Sequence, residues 1–259
     1  MKKNIALALT LSMAFAFSCT AMAEETTEAA TEAATEAASE AESEDVKSEG
    51  VMTYDEYMAA AVDDEVVIEA YVQAKQSWWE DKATLYTQDK DGAYFVYNAA
   101  CSEDDYAKLV PGTKIKVTGY KAEWSGEVEI VDATFEILDD GDAYIAEPLD
   151  VTELLGTDSL IDHQNQFVSF TGMTVEAYDE TGAAFAYKNE ADKTDDLYFK
   201  VSYNGQTYDF CVEYYLCGSD TDVYKAVENL KVGDVVDMQG FLYWYEGANP
   251  HVTALTVAK

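Results

Sequence analysis

Eight aromatic side chains are the residues of this sequence whose type and spacing best suit the binding of a ligand. Neighbouring residues on a β-strand point to opposite faces of the sheet, so one of each adjacent pair can meet a ligand while the other packs inside. Exposed Trp and Tyr side chains stack on sugar rings, peptides and cations. The competing interpretation is that all eight pack within the barrels or between the two domains, because large aromatic side chains dominate core stability. The candidates are Trp78, Trp79, Tyr94, Tyr97, Trp124, Tyr243, Trp244 and Tyr245.

The sequence shows no arrangement of residues that is typical of catalysis or of a metal site. His163 and His251 are the only histidines, and neither has the spacing of a metal ligand. Asp89, Asp91 and Gly92 resemble the start of a calcium loop, but a strand pattern follows them, so a hairpin turn is the simpler interpretation. Nucleophile elbows, phosphate-binding glycine loops and zinc motifs are absent. We therefore expect a protein that is not an enzyme, with no catalytic residue, no metal and no cofactor.

An internal repeat indicates which elements position the aromatic residues. The stretch from Leu109 to Phe135 aligns without a gap with the stretch from Leu230 to Thr256. Self-similarity on this scale indicates a duplicated module. In each copy, alternating apolar and polar residues lead to a glycine within the run, Gly119 or Gly240, which is typical of a β-bulge in a tightly coiled sheet.

The order of predicted elements is the same in both modules. A long first strand is followed by a hairpin, a short helix and the repeated stretch, which itself contains two extended runs. Asn204-Gly205, between two alternating runs, is the strongest hairpin signal in the chain. We predict a first module over residues 51–140 and a second over residues 149–259, joined by a linker. The predicted first strands are Glu65 to Trp79 and Phe167 to Tyr178, and an insertion from Asp179 to Asp196 has no counterpart in the first module.

The N-terminal region indicates export. Residues 1–23 have a charged start, an apolar core and Ala-Met-Ala before Glu24, as in a secretory signal peptide. Cys19 leaves lipidation open as an alternative, although Phe17 fits a lipidation motif poorly. Residues 24–50 are rich in Glu, Ala and Thr, and we predict a disordered acidic linker. The expected location is outside the cell, either free or tethered to the cell surface.

The order of elements resembles the OB fold, a small five-stranded barrel with a helix between its third and fourth strands. The chain is similar to secreted bacterial proteins that carry tandem OB-fold domains behind a signal peptide and an acidic linker. The resemblance rests on Trp78-Trp79, the YFVY run from Tyr94 to Tyr97, the two glycine turns, Trp124, and Tyr243-Trp244-Tyr245. It implies an all-β fold of two tandem five-stranded barrels with short helices. It supplies no catalytic motif. It also does not identify the activity, because OB barrels hold many unrelated ligands.

Three cysteines lie within the predicted modules. Cys101 and Cys217 end the third strand of each module, and Cys211 is additional. The six-residue separation of Cys211 and Cys217 corresponds to about 20 Å of extended chain, which is too far for a disulfide bond. We expect all three thiols to be buried and unpaired.

Charge guides the choice of ligand. The formal net charge is −35, and the sequence contains no arginine. An OB barrel that binds single strands combines stacking aromatics with a basic groove. The acidic composition without arginine therefore disfavours nucleic acid, and membrane association is expected only through a lipid anchor. The preferred prediction is a binding protein for a glycan or an extracellular peptide. The alternatives are a structural module at the cell surface and, third, a protein that binds single-stranded nucleic acid.

Overall fold

The structure is a computed structural model that describes residues 47–189 and 194–258. The predicted signal peptide, Cys19 and most of the predicted linker lie outside the described residues. Lys47, at the end of that linker, lies against the first barrel, and its Nζ is 2.5 Å from Oδ2 of the buried Asp89. No helix in the described ranges is long and apolar enough to span a membrane.

The first barrel closes on itself. Its elements are α1 Tyr54–Ala59, β1 Glu65–Lys75, β2 Lys82–Gln88, β3 Ala93–Ala100, α2 Glu103–Tyr106, β4 Lys114–Trp124 and β5 Glu127–Ile137. The five strands follow the order β1-β2-β3-β5-β4, and β1 returns to pair with β4. All pairs are antiparallel except β3 with β5. A capping box formed by Thr53 and Glu56 starts the helix α1 that precedes the barrel.

The second barrel repeats this topology. Its elements are β6 Leu149–Asp150, β7 Phe167–Glu176, β8 Phe185–Tyr187, β9 Leu197–Tyr203, β10 Gln206–Val212, α3 Asp222–Glu228, β11 Val235–Phe241 and β12 His251–Val257. The strands β7, β9, β10, β12 and β11 form a closed ring, to which β6 and β8 add short edges. Two 3-10 helices, Thr152–Leu154 and Asp158–His163, lead into the ring.

The predicted fold of two tandem five-stranded barrels is therefore confirmed. Gly119 lies at a register shift between β4 and β5, where an added Cβ would be 2.7 Å from the Ile130 side chain. Gly240 lies at the equivalent shift between β11 and β12, where an added Cβ would be 2.2 Å from the carbonyl oxygen of His251. Both glycines thus permit the close strand approach that the sequence predicted. The Asn204-Gly205 turn joins β9 to β10, as predicted.

Each barrel encloses its own hydrophobic core, and a third cluster joins the two barrels. Tyr86 and Phe95 on the outer face of the first barrel pack with Phe241 of the second. The Tyr86 and Phe241 rings are stacked with centroids 4.6 Å apart. All three side chains are buried. Cys101, Cys211 and Cys217 are free and buried, which confirms the prediction for the thiols.

Two predicted strand positions are wrong. The first strand ends at Lys75 rather than Trp79, so Trp78 and Trp79 lie in the loop before β2. The chain leaves the sheet because the backbone N–H of Ser77 donates to the carbonyl oxygen of Tyr215 in the second barrel, at 2.7 Å. Residues 243–245 follow β11 in a loop. The expectation that adjacent aromatics alternate across a strand therefore does not apply to these residues.

Candidate ligand-binding groove

The outer face of β2 and β3 is only partly covered by the second barrel. Leu85, Tyr94 and Val96 point into the first core, while Tyr86, Phe95 and Tyr97 alternate with them and point outward. In OB folds, this face and the neighbouring loops commonly hold ligands. Here Tyr86 and Phe95 are buried against the second barrel, whereas Tyr97 is 45% exposed. The uncovered part of the face forms one wall of a groove between the barrels.

The groove encloses a cavity of about 440 Å³. Three large aromatic side chains reach it from different parts of the chain: Trp79 from the loop after β1, Tyr97 from β3, and Tyr215 from the segment after β10. Trp79 is 70% exposed and Tyr215 is 62% exposed. Their rings are therefore open to a planar ligand. The described residues that line the groove are Gln76, Ser77, Trp79, Lys82, Thr84, Tyr97, Asn98, Glu213 and Tyr215.

Local backbone structure holds Trp79 at the mouth of the groove. Trp79 and Lys82 exchange two backbone hydrogen bonds of 3.2 and 3.0 Å, which close a tight turn. Glu80 and Asp81 in this turn both have positive φ. The indole N–H of Trp78 donates to the carbonyl oxygen of Cys101 at 2.9 Å. Trp78 therefore anchors the loop, and Trp79 is the residue that the loop exposes.

Hydrogen bonds fix the opposite wall as well. The carboxylate of Glu213 accepts from the backbone N–H groups of Tyr215 and Leu216, at 3.2 and 2.7 Å. The Ser77 hydroxyl and backbone N–H both donate to the Tyr215 carbonyl oxygen. Tyr215 is thereby held against the first barrel although its ring is exposed. The two walls of the groove are preorganised for a ligand.

The charge within the groove differs from the average charge of the chain. Among the described residues that line the groove, only Lys82 and Glu213 have ionisable acidic or basic side chains. Burial, with a smaller contribution from Asp196, raises the pKa of Glu213 to about 7. Near neutral pH, part of the Glu213 population is therefore uncharged, and Lys82 is exposed. Among the lining residues, Lys82 therefore offsets the charge of Glu213.

The predicted site residues lie in several places. Trp79 and Tyr97 line the groove, with Trp78 just behind it. Trp124 is 61% exposed at the end of β4. Tyr243 packs in the contact between barrels, where its ring lies 5.3 Å from that of Phe95.

Trp244 and Tyr245 line a different cavity on the second barrel. Tyr94 is fully buried in the first core, with its ring 5.0 Å from that of Tyr57, so it has no surface for a ligand. Tyr94 belongs to the inward set of β3, which places it among core residues. The sequence therefore proposed one aromatic residue on the wrong side of its strand.

Sequence reasoning missed Lys82, Glu213 and Tyr215. Tyr215 lies beside Tyr214 at the end of the alternating run that follows Asn204-Gly205, and adjacent aromatics at the end of a strand were a signal that could have included it. No local signal identified Glu213 or Lys82. Their place in the groove depends on how the two barrels meet.

No protein-family model matches this sequence, and no curated protein matches it. Solved structures of similar fold include a murine DNA-binding protein bound to double-stranded DNA, at 11% identity over 74% of this chain and 95% of that chain, with a TM-score of 0.34. A HINa domain in complex with double-stranded DNA is 14% identical over 76% of this chain and all of that chain, with a TM-score of 0.33. A replication protein A heterotrimer bound to single-stranded DNA is 12% identical over 75% of this chain and 49% of that chain, with a TM-score of 0.31.

The sequence-based prediction of the partner needs correction. It placed a glycan or an extracellular peptide first and disfavoured nucleic acid, whereas the similar structures include proteins bound to DNA. The prediction applied the net charge of the whole chain to a local binding site. The charge of −35 belongs to the whole chain, while the groove contains one lysine and one glutamate with a raised pKa. A whole-chain charge does not determine which ligand a local aromatic groove accepts.

Proposed function

We propose that this chain is a non-enzymatic binding protein that takes a nucleobase into the groove between its two barrels. The observation that carries the proposal is the convergence of Trp79, Tyr97 and Tyr215 on one cavity. Stacking of a base on an aromatic side chain contributes about 1–3 kcal/mol and tolerates any base, because every base has a π-face. The base comes from a free nucleoside or from a single strand, and the groove chemistry is the same for both.

The polar lining suits the edge of a base. Gln76 and Asn98 carry amide groups that both donate and accept, and Glu213 provides a carboxyl group beside the aromatic rings. Thr84 already accepts from the backbone N–H of Asn98 at 3.1 Å, which fixes this part of the wall. A planar ligand held between the rings would meet these groups along its rim. Stacking supplies the affinity and the polar groups select among bases.

Electrostatics limit how much of a strand is bound. Each phosphate neutralised by a cation on a single strand contributes about −0.7 to the slope of log affinity against log salt. Lys82 is the only lysine in the groove lining within residues 47–189 and 194–258. A polyanionic strand crossing the rest of this acidic surface would be repelled. The proposed ligand is therefore one base, or a very short single-stranded segment, and a long duplex is excluded.

The proposed location is outside the cell, reached through the predicted signal peptide at residues 1–23. The motivation is the N-terminal sequence pattern alone. Detection of the mature chain, cleaved after Ala23, in the culture medium or on the cell surface would support this location. A chain that remains cytoplasmic with Met1 intact would exclude it.

The proposed function is tested by titrating the mature protein with nucleosides, a short single-stranded oligonucleotide, a duplex and a neutral oligosaccharide. Tryptophan fluorescence is the readout for the unsubstituted protein, and isothermal titration calorimetry is the readout for the variants, because Trp79→Ala removes the fluorophore in the groove. Nucleosides and the short single strand should quench, and Trp79→Ala or Tyr215→Ala should weaken binding about tenfold or more, since each substitution removes one stacking surface. Trp124→Ala is the matched control, because Trp124 is equally exposed but does not line the groove.

Salt dependence separates a base site from a backbone site. The slope for the oligonucleotide should be shallower than about −1, as expected for one neutralised phosphate. A steep slope, preference for the duplex, or binding that survives Trp79→Ala and Tyr215→Ala together would overturn the proposal. Quenching by the oligosaccharide without quenching by nucleosides would overturn it as well.

A further inference from the structure

The first barrel holds the ammonium group of Lys47 in a recess between β1 and the turn that follows β2. Nζ of Lys47 donates to Oδ2 of Asp89 at 2.5 Å and to the carbonyl oxygen of Glu69 at 3.2 Å. Glu69 lies in β1, and Asp89 begins the turn between β2 and β3. We propose that this recess is a binding site for an alkylammonium group, as found on a free amine or a lysine side chain, and that Lys47 is its tethered occupant.

The barrel itself holds the acceptor carboxylate in place. Oδ1 of Asp89 accepts from the backbone N–H groups of Asp91 and Gly92, at 2.8 and 2.7 Å. Oδ2 accepts from the Tyr94 hydroxyl group at 3.1 Å. None of these three hydrogen bonds involves the linker, so the carboxylate keeps its orientation without Lys47. The recess is therefore preorganised for an ammonium group.

A ligand reaches the recess along the path that the Lys47 side chain takes. The Asp89 side chain is fully buried and that of Lys47 is 10% exposed, whereas Ser48, Glu49 and Gly50 are exposed. The Lys47 side chain thus enters from the surface and ends at the buried carboxylate. When it is removed, an aliphatic stem of the same length can follow the same path.

The two acceptors around Nζ select a primary ammonium. A buried carboxylate that loses its cation is strongly destabilising, so a cation that enters the recess recovers free energy. A primary ammonium also supplies N–H donors to both Asp89 and the Glu69 carbonyl oxygen. An alcohol lacks the charge, and a quaternary ammonium lacks the N–H groups. The recess should therefore reject both.

The tether keeps the recess closed to other amines. The chain is fixed to β1 at Met52, whose backbone N–H donates to the carbonyl oxygen of Val67 at 2.9 Å. Across so short a tether, Lys47 competes at an effective concentration in about the millimolar range or above. Exposed loop segments of small and polar residues are preferred sites of proteolysis, which describes residues 48–50. A cut in this segment removes the competing lysine and opens the recess.

The site is tested with Lys47→Ala in the mature protein, because propylamine supplies the carbons and the ammonium that this substitution removes. Propylamine should raise the urea midpoint of this variant with the logarithm of its concentration, as for a ligand that binds only the folded state. Propanol and tetramethylammonium should not. The unsubstituted protein and Lys231→Ala, which alters an exposed lysine, are the controls and should not respond to propylamine. If Lys47→Ala is unfolded without ligand, propylamine should restore its folded circular dichroism spectrum.

Three results would overturn the proposal. The first is a Lys47→Ala protein that does not respond to propylamine, and the second is an equal response to tetramethylammonium. The third is an equal response in the unsubstituted protein, which would show that Lys47 does not occupy the site.

Cleavage of the linker distinguishes the two sources of the ammonium group. A glutamate-specific protease should cut after Glu49, and mass spectrometry should find a product that begins at Gly50. Lysine blocked at its α-amino and carboxyl groups should stabilise this product against urea, and the same compound acetylated on Nζ should not. Stabilisation by propylamine without stabilisation by blocked lysine would assign the site to free amines and overturn the lysine side chain as ligand. A bond after Glu49 that resists the protease would overturn this route of opening.

Discussion

The hydroxyl group of Tyr86 lies 2.7 Å from Nδ1 of His251, and this contact joins β2 of the first barrel to β12 of the second. The imidazole ring also stacks on Tyr243, with centroids 4.3 Å apart. Burial lowers the pKa of His251 from 6.5 to about 3. The imidazole is therefore neutral at the centre of the contact between the barrels. Protonation of this histidine would place an unpaired charge where two aromatic surfaces meet.

The first prediction is that His251 makes the protein sensitive to acid. Between pH 6.5 and about pH 3 the unfolded chain binds this proton and the folded chain does not, so stability falls as the pH is lowered through that window. At about pH 4.5, two pH units below the pKa of the unfolded chain, the unfolding free energy is lower by about 2–3 kcal/mol. His251→Gln, which keeps a polar partner for Tyr86, should lack this loss. Urea unfolding at neutral and acidic pH measures the difference.

The control for this prediction is His163→Gln, because His163 is the only other histidine and lies at the end of a 3-10 helix. It should show the same acid dependence as the unsubstituted protein. If His251→Gln and the unsubstituted protein lose stability in parallel between neutral and acidic pH, the histidine is not the sensitive group.

The second prediction concerns Glu213, whose effect has the opposite sign. Burial raises its pKa from 4.5 to about 7. Since the folded state holds the proton more tightly, the stabilising contribution is complete below pH 4.5 and is lost as the pH rises through about 7. The loss amounts to at most about 3 kcal/mol. Glu213→Gln should therefore flatten the dependence of the unfolding free energy between pH 5 and pH 8, which is about the range of the shift.

Glu129 should also contribute to the pH dependence of the unfolding free energy. Burial also raises its pKa to about 7, so Glu213→Gln should remove only part of the pH dependence. Glu129→Gln should remove a comparable part, and the double variant should remove both. An exposed carboxylate variant, Glu136→Gln, should leave the profile unchanged. A profile in Glu213→Gln identical to that of the unsubstituted protein would show that Glu213 is ionised normally in the folded state.

The sequence was sufficient for the architecture because local patterns encode it. The repeat from Leu109, the mid-strand position of Gly119 and the Asn204-Gly205 turn each specify backbone geometry through nearby residues. The groove depends on contacts between residues far apart in the chain. The bond from Ser77 to Tyr215 links residues 138 positions apart, and strand periodicity carries no information about it.

Burial on the outer face of β3 illustrates the same limit. Periodicity indicates that Phe95 and Tyr97 share one face, but not that the second barrel covers Phe95 and leaves Tyr97 exposed. Likewise, Tyr94 could be assigned to the core only once the inward set of β3 was known. A candidate site built from aromatic residues alone therefore combined core, interface and groove residues, which tertiary structure separates.

The third prediction tests how the loops of the two barrels meet. Gly126→Ala should destabilise the protein because the residue has φ of +92° and an added Cβ would be 2.8 Å from Trp244. Gly141→Ala is a matched control, since Gly141 has φ of +84° and nothing within 4 Å of the added Cβ. Both substitutions strain the backbone by about 1 kcal/mol or more. The additional loss in Gly126→Ala, measured by urea unfolding, reports the displacement of Trp244, and equal losses would contradict that contact.

The fourth prediction is that Lys47, although it lies in the region predicted to be a linker, stabilises the first barrel. Its Nζ is 2.5 Å from Oδ2 of Asp89 and 3.2 Å from the carbonyl oxygen of Glu69. The Asp89 side chain is fully buried, and it also accepts from the Tyr94 hydroxyl group at 3.1 Å. Removing one partner of a buried ion pair costs about 3–5 kcal/mol, and the remaining hydrogen bonds to Asp89 should hold the loss near the lower end. Lys47→Met should therefore lower the unfolding free energy by about 3 kcal/mol, while Lys231→Met, at an exposed position, should have little effect.

A chain that begins at residue 51 should be destabilised to the same extent as Lys47→Met, because both lack this ammonium group. If the shortened chain and Lys47→Met unfold at the same urea concentration as the full mature protein, Lys47 makes no net contribution and the first barrel is complete without it.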